Sequence, residues 1–439
     1  MKRYISFITK SLTFYIVAIL MATSASAVTI ETDRTWYLAG EPMQVSVSAD
    51  EAVIAYAELC DTYGLAAGVI IGLHDGKGTG TIELPQNLHS GYYLLSAYTR
   101  NSIQVSQQLV AVVNVLHKSE DDDIEWIEAN GQSSTDNAQW SMNNGQWSMV
   151  RSAEGRLQGK NGQCPETEGH IVMARVKNVY DGTTYRDRQI RPSLSIVGKQ
   201  IHYFEGQMTN DSTAVFYTYG IHGRQPLVLS AVTATGVSLP IEVISPFATL
   251  LPKQLPHLVF HYKRSEVEAR SIGMQCHQMA IAPVKRELKL GDLADDTAEE
   301  GVPLDYDETL FGIKPDLSYN LDEYRQFRTI REVLLEYVNC VRKIKRNGVT
   351  RLIVRKELGH YNSSWPAVVF IDGMPVNDIE RLLNYDARRI HYINIYPGQY
   401  TFGNGIYNGI LSLISRTGRL TNYPVEPNVQ YLVYEFPET

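Results

Sequence analysis

The stretch from Trp365 to Gly418, WPAVVFIDGMPVNDIERLLNYDARRIHYINIYPGQYTFGNGIYNGILSLISRTG, decides how the rest of the chain is read. Val368-Val369-Phe370-Ile371 is a short, wholly apolar run, the pattern of a strand buried on both faces. Asp372-Gly373 marks a tight turn, because Gly tolerates positive φ and Asp bonds its own backbone. Pro375-Val376 starts a second short strand. Asp378 is placed to cap a helix whose core face is Ile379, Leu382 and Leu383. Ile393 and Ile395 alternate with Tyr392, Asn394 and Tyr396, which predicts a half-buried strand. The turn Phe402-Gly403-Asn404-Gly405 leads through Asn408-Gly409 to a last strand, Ile410 to Ser415. This order of strand, turn, helix, strand, glycine turn and strand describes a small α/β module.

Upstream, Thr329-Ile330-Arg331-Glu332 is a capping box. Ile330, Val333, Leu334, Tyr337, Val338 and Val341 follow as an apolar stripe at helical spacing. Asn347-Gly348 predicts a hairpin turn between Val341–Arg346 and Val349–Lys356. Toward the amino end the pattern becomes β. Val45, Val47 and Ala49 alternate with Gln44, Ser46 and Ser48, and Ser90-Gly91 turns into Tyr92–Arg100, so residues 28–117 read as a β-sandwich. Residues 169–248 read as a second one, with strands at His170–Val176, Leu194–Ile196, Ala214–Tyr217, Leu227–Val232 and Leu239–Ile244. Between the two, 118–168 reads as a linker. It carries the acidic run Glu120-Asp121-Asp122-Asp123 and a local echo, Asn137–Met142 and Asn144–Met149, each with a Gln-Trp-Ser-Met core. Residues 249–304 read as a strand-containing connector, with strand-like Pro256–Arg264 and Val267–Ile272 and a second acidic run at Asp292–Glu300. The α/β module then occupies 305–420 and a tail 421–439. The expected fold class is multidomain and mainly β: two β-sandwich domains followed by the small α/β domain.

The amino terminus has the form of a secretory signal over 1–27. Lys2 and Arg3 form the positive region, Leu12–Met21 is apolar but short for a membrane span, and Ala25-Ser26-Ala27 is a small-residue cleavage site. Removing it takes away Lys2, Arg3 and Lys10 and no acid, moving the formal charge from −8 to −11. Such an acidic balance argues against a nucleic-acid partner. Export would permit disulfides among Cys60, Cys164, Cys276 and Cys340, but no CxxC pair is present and isolated thiols are an equal reading. His257, His261 and His277 lack the convergent ligands that zinc needs. No G-x-S-x-G, H-E-x-x-H or P-loop occurs. The expectation is a non-enzymatic protein with no catalytic, cofactor-binding or metal-binding residues.

Several of these stretches also resemble known families. Val369-Phe370-Ile371-Asp372-Gly373-Met374-Pro375-Val376, then Asp386, Ile390 and Ile393-Asn394-Ile395, then Tyr400, Gly403, Asn408-Gly409-Ile410 and Ile414-Ser415-Arg416-Thr417-Gly418, resemble the plug domain of TonB-dependent outer-membrane receptors. Asp372, Gly373, Pro375, Gly403, Asn408, Gly409 and Gly418 carry that likeness, in a structural or an interaction role. Asp33, Tyr37, Gly40-Glu41 and Leu84 to Ser90-Gly91-Tyr92 resemble macroglobulin-type domains of bacterial α2-macroglobulin relatives, although Cys164-Pro165-Glu166-Thr167 departs from the thioester motif of the protease-trapping members. The 169–248 pattern, with a turn at Asp181-Gly182, resembles the carboxypeptidase-regulatory, transthyretin-like sandwich that precedes the plug in receptors of Bacteroidetes. Asp211-Ser212-Thr213 and Asp296-Thr297-Ala298 resemble the O-glycosylation acceptor motif of that phylum.

The 21 residues after Gly418 suffice for about two membrane strands, against about 22 in a receptor barrel, and no TonB box is recognisable. The resemblance therefore implies an exported, periplasmic or outer-membrane-associated binding or scaffold protein. Its partners would be other envelope proteins, an outer-membrane β-barrel among the candidates, and it would meet the membrane through them. An accessory of a TonB-dependent transport system working with a separate barrel, and a macroglobulin-like protease interactor without the thioester, are the alternatives.

Overall fold

Asp372 and Gly373 adopt φ values of +47° and +80°. Positive φ at both central positions suits the right-handed twist of two flanking strands, and it folds Met374–Pro375 back on Val368–Ile371. The computed structural model that shows this describes residues 28–437 apart from 51, 101–103, 117, 128–165, 167–168, 178–189, 198–200, 211, 234–236, 282–310, 347, 356–365, 403–404 and 417–425. The signal-like segment with Ala25 and Ala27, the tryptophan echo, Cys164, the Asp181-Gly182 turn, the Asp292–Glu300 run, Gly403 and Gly418 lie outside the described residues. The protein is mainly β and multidomain. By its internal contacts it divides into two units, one of 1–169 with 247–282 and 437–439, the other of 170–246 with 283–436.

In the second unit the turn belongs to a five-stranded sheet of Leu317–Asn320, Ile390–Phe402, Gly405–Ser415, Val368–Ile371 and Met374–Pro375, in that order. One face places Val369, Ile371, Ile393, Ile395, Leu411 and Leu413 against helix residues Ile330, Val333, Leu334, Ile379, Leu382 and Leu383. The opposite face places Phe370, Tyr396, Ile410 and Ile414 against Ile201 and Tyr203. The strand through Ile393 is therefore not half-buried as its alternation predicts. Asn394 and Tyr396, at 5% and 0% exposure, are as covered as Ile393 and Ile395, because the sheet is packed on both sides.

The local signals in this unit fold as read. Thr329 Oγ1 accepts from Glu332 N at 3.3 Å and Glu332 Oε2 accepts from Thr329 N at 3.1 Å, closing the capping box of the helix Ile330–Glu336. That helix stops sooner than its apolar stripe suggests: Tyr337 is its C-cap and Val341 already starts the hairpin Val341–Arg346/Val349–Val354. Asp378 Oδ1 accepts from Arg381 N at 3.1 Å and caps the helix Ile379–Leu383.

Ile201 and Tyr203 come from a sandwich of two sheets within the same unit. One sheet pairs Ile171–Val176 with Thr213–Tyr217 and Ile241–Val243, and the other pairs Ile190–Ile196 with His202–Glu205 and Gly223–Thr233. The predicted strand Leu239–Ile244 is split at Pro240, which has no N–H to donate. Ser238–Leu239 joins the second sheet and Ile241–Val243 the first. The segment 421–439, read as a tail, contains the strand Gln430–Phe436. It pairs antiparallel with Gly223–Leu229 of the sandwich, from Leu229↔Gln430 to Gly223↔Phe436.

The first unit is a sandwich of a three-stranded sheet, Thr29–Thr32, Pro42–Ser48 and Lys77–Glu83, and a five-stranded one running Trp36–Leu38, Val105–Val113, Gly91–Tyr98, Ile54–Cys60, Leu65–Gly72. Met43, Val45, Val47 and Ala49 enter the core and Gln44 and Ser46 face solvent, as the alternation requires. The connector folds onto this sandwich. Leu258–Phe260 pairs in parallel with Ile124–Trp126, inside the segment read as a linker. Val267–Ile272, read as strand-like, lies in the helix Arg264–Ile281. Val267 and Ser271, four apart, are buried at 3% and 2% exposure, and Arg264 pairs with Glu268 at 2.8 Å. An i, i+4 stripe is one helical face. Six residues, with Val267, Ala269 and Ile272 as their apolar side chains, were too few to separate that period from a strand.

Candidate functional site

The turn residues that carried the sequence reading are interior. Asp372 is 1% exposed. Its Oδ1 accepts from Ser415 N at 2.8 Å and its Oδ2 from Ser415 Oγ at 2.6 Å, fastening the hairpin to the end of the neighbouring long strand. A Cβ on Gly373 would collide with Ile201, so that position needs glycine for space as well as for φ. Pro375 is buried and sits opposite Phe370. Asn408 and Gly409 lie elsewhere in the sheet. Asn408 pairs with Gln399, while Gly409, at φ +92°, would place a Cβ 3.0 Å from Val354. These residues shape the core and its seams; none of them forms an open surface.

A second buried polar seam links the α/β sheet to the sandwich. The Tyr407 hydroxyl donates to Glu205 and approaches the Tyr203 hydroxyl at 3.3 Å. Arg191 Nε donates to Glu205 Oε1 at 3.1 Å and its guanidinium lies 4.9 Å from the Tyr407 ring centroid. Burial pushes the Tyr203 phenol up to about 12 and Tyr407 further still, with Tyr203 and Glu205 adding to the effect. Both phenols stay neutral at ordinary pH, and Tyr407 acts as a hydrogen-bond donor.

The open concavity lies elsewhere, in a cleft of about 370 Å³. Its walls come from four places far apart in sequence: the hairpin (Lys345, Gly348, Val349, Thr350), the capped turn (Asn377 to Glu380), the segment Glu426–Asn428, and Ser238 of the sandwich. Glu426 is 3% exposed; its two carboxylate oxygens each accept from Asn377 N at 3.2 Å, and Oε1 also accepts from Asp378 N at 3.1 Å. Asn428, at φ +70°, donates from Nδ2 to Ser238 O at 3.1 Å. Glu380 accepts from Arg331 at 2.7 Å, Lys343 at 2.8 Å and Thr350 Oγ1 at 2.7 Å. The Lys343 bond, then those from Thr350 and Arg331, pull its carboxyl down to about 2.

Each carboxylate of the cleft is therefore already engaged by donors of the protein. Two buried polar atoms are not: Asn377 Nδ2 and Ser238 Oγ have no hydrogen-bond partner among the described residues. A buried group left in that state costs about 1–3 kcal/mol. Asp378 was legible in sequence only as a helix cap, and Asn377 beside it had no signal of its own. Ser238, Glu426 and Asn428 had no local signal, because what brings them together is the pairing of distant segments. Among the described residues no group of three or more His, Cys, Asp or Glu side chains is placed to hold a metal ion, and no helix is long and apolar enough to cross a membrane. Cys60 and Cys340 are free thiols.

No family model matches this chain, and no curated protein does. Solved structures match at low similarity. A tetra-tandem repeat from the extending region of a large adhesion protein is 10% identical with a TM-score of 0.19, over 50% of this chain and 50% of that one. A Salmonella alpha-2-macroglobulin mutant is 11% identical with a TM-score of 0.19, over 52% of this chain and 15% of that one. The Escherichia coli adhesin FdeC is 11% identical with a TM-score of 0.17, over 54% and 65%. The chain thus spans half or less of the first two of these proteins, and TM-scores of this size carry no argument about fold or function.

Proposed function

We propose that this is a non-enzymatic, exported binding or scaffold protein of a cell envelope, engaging other envelope proteins through its β-sandwich and α/β modules. The state of the cleft carries the reading. Its carboxylates are spent on internal donors, and a carboxyl held near 2 is poorly matched to proton transfer at neutral pH. A concavity built this way can hold a ligand, whereas general acid–base chemistry needs a group with a pKa near the working pH. The signal-like amino terminus and the plug-like order of turns and strands support the envelope setting.

The test is photo-cross-linking in intact cells followed by fractionation and mass spectrometry. The reactive residue belongs at Gly348, which is exposed on the cleft rim, because Met374 in the hairpin is only 1% exposed. Reproducible adducts to envelope proteins are expected, and an adduct to a β-barrel would favour the transport-accessory role. Recovery of the whole protein in the cytosol, without adducts, would overturn the proposal.

A further inference from the structure

The cleft between the hairpin and the Glu426–Asn428 segment presents an unusual set of unused groups. The Asn377 amide arm and the Ser238 hydroxyl are buried at its wall without partners. Lys345 lines the same wall. The carboxylates around them already accept from protein donors: Glu426 from two backbone amides, Glu380 from Lys343, Arg331 and Thr350, Asp378 from Arg381 N. Glu380 is thus paired with two cations and Glu426 and Asp378 are met by backbone amides, and the neutral hydrogen-bonding groups of Asn377 and Ser238 remain beside the Lys345 amine.

We infer that this cleft is a carbohydrate site, taking one or two neutral sugar residues; the inference rests on the binding reading above and names its ligand class. Three observations select that class. Buried polar groups in folded proteins are normally satisfied, so an amide arm and a hydroxyl left open at a shared cavity are placed for something that enters it. A sugar hydroxyl both donates and accepts, so it satisfies a serine hydroxyl, and an asparagine arm whichever way the amide is turned. The volume, about 370 Å³, is at the small end for organic ligands. A phosphate or carboxylate would instead seek a net excess of cations, and here Lys343 and Arg331 are already bound to Glu380. The lining sets Val349, Ile379 and Pro427 among Lys345, Glu380, Glu426 and Asn428; that mixture suits a sugar, which carries apolar C–H faces and polar hydroxyls, better than a lipid chain, which would leave the polar groups unmet.

The experiment uses the full chain and a defined panel of glucose, galactose, N-acetylglucosamine, maltose and cellobiose, read by saturation-transfer NMR and by amide shift changes at Gly348, Asn377 and Ser238. Sodium phosphate and acetate are run as separate probes. At least one sugar is expected to receive saturation and to shift those amides. Asn377→Ala and Ser238→Ala should each weaken that sugar at least tenfold while leaving the thermal transitions in place. Absence of any sugar response overturns the inference, as does a response at these amides to phosphate or acetate but to no sugar. Undiminished sugar binding in both variants places the sugar elsewhere and also overturns it. None of these outcomes depends on the cross-linking result, so the envelope reading and the ligand class fail separately.

Discussion

Both units are completed by a segment that returns from further along the chain, but the two returns are held in different ways. In the first unit the returning segment starts at Phe247, and a side chain receives it. Glu58, fully buried in the middle of a strand, accepts from Thr249 N at 3.0 Å and Leu250 N at 2.5 Å, and from the Tyr98 hydroxyl at 3.0 Å. Thr249 takes a φ of +59° to present its amide there. Burial raises the Glu58 carboxyl pKa even though the donors from Leu250, Thr249 and Tyr98 oppose that rise. In the second unit the returning strand Gln430–Phe436 is held by a main-chain ladder to Gly223–Leu229, with Tyr434 and Phe436 buried beside it. A ladder spreads the attachment over many modest bonds, while a buried carboxylate concentrates it on one residue.

That contrast can be broken most severely by deleting Gln430–Phe436. The deletion bares the sandwich edge and removes a buried aromatic pair, so the second unit should lose its cooperative transition in calorimetry while the first keeps its own. A second-unit transition that survives unshifted would mean the ladder is dispensable. Next in size is Glu58→Ala, which leaves three buried donors unmet. It should cost the first unit about 3 kcal/mol in denaturant unfolding and leave the second unchanged; an equal effect on both units would show that they do not unfold independently.

Gly373→Ala tests the buried hairpin, where a side chain meets both the positive φ and Ile201. A loss of about 2 kcal/mol is expected for the second unit. Adding Ile201→Ala should recover the steric part in a double-mutant cycle, and additive losses would instead place the whole effect in the backbone. The smallest effect concerns Glu380. Its folded carboxyl lies below the ordinary 4.5, at about 2, so its contribution is present above pH of about 4.5 and fades as pH falls toward 2. Solvent screens this exposed cluster, so the contribution is below about 1 kcal/mol. Glu380→Gln should remove that part of the acid dependence of the second unit and little else, and an unchanged pH profile would show the ion pairs to be idle.

Legibility in the sequence followed distance along the chain. The Asp372-Gly373 turn, the Thr329/Glu332 capping box, the Asp378 cap and the hairpin at Asn347-Gly348 were readable because each depends on a few adjacent residues. The helix at Arg264–Ile281 was missed where its two buried side chains, Val267 and Ser271, gave too short a period. The burial of Asn394 and Tyr396 was missed because alternation reports one covered face and cannot report a second layer supplied by Ile201 and Tyr203. Of the cleft, the hairpin wall and the Asp378 cap left a local trace, while Ser238, Glu426 and Asn428 left none.

Residue order alone settled the turns, caps and most of the strands, since φ preferences, side-chain-to-backbone bonds and period-2 burial act within a few residues. Which strands share a sheet was settled only in the folded molecule. There Gln430–Phe436 adds to a sheet built two hundred residues earlier, and Phe247–Ile281 belongs to the first unit. Long-range pairing reflects buried area and main-chain hydrogen bonds summed over whole surfaces, and no short window of sequence contains that sum.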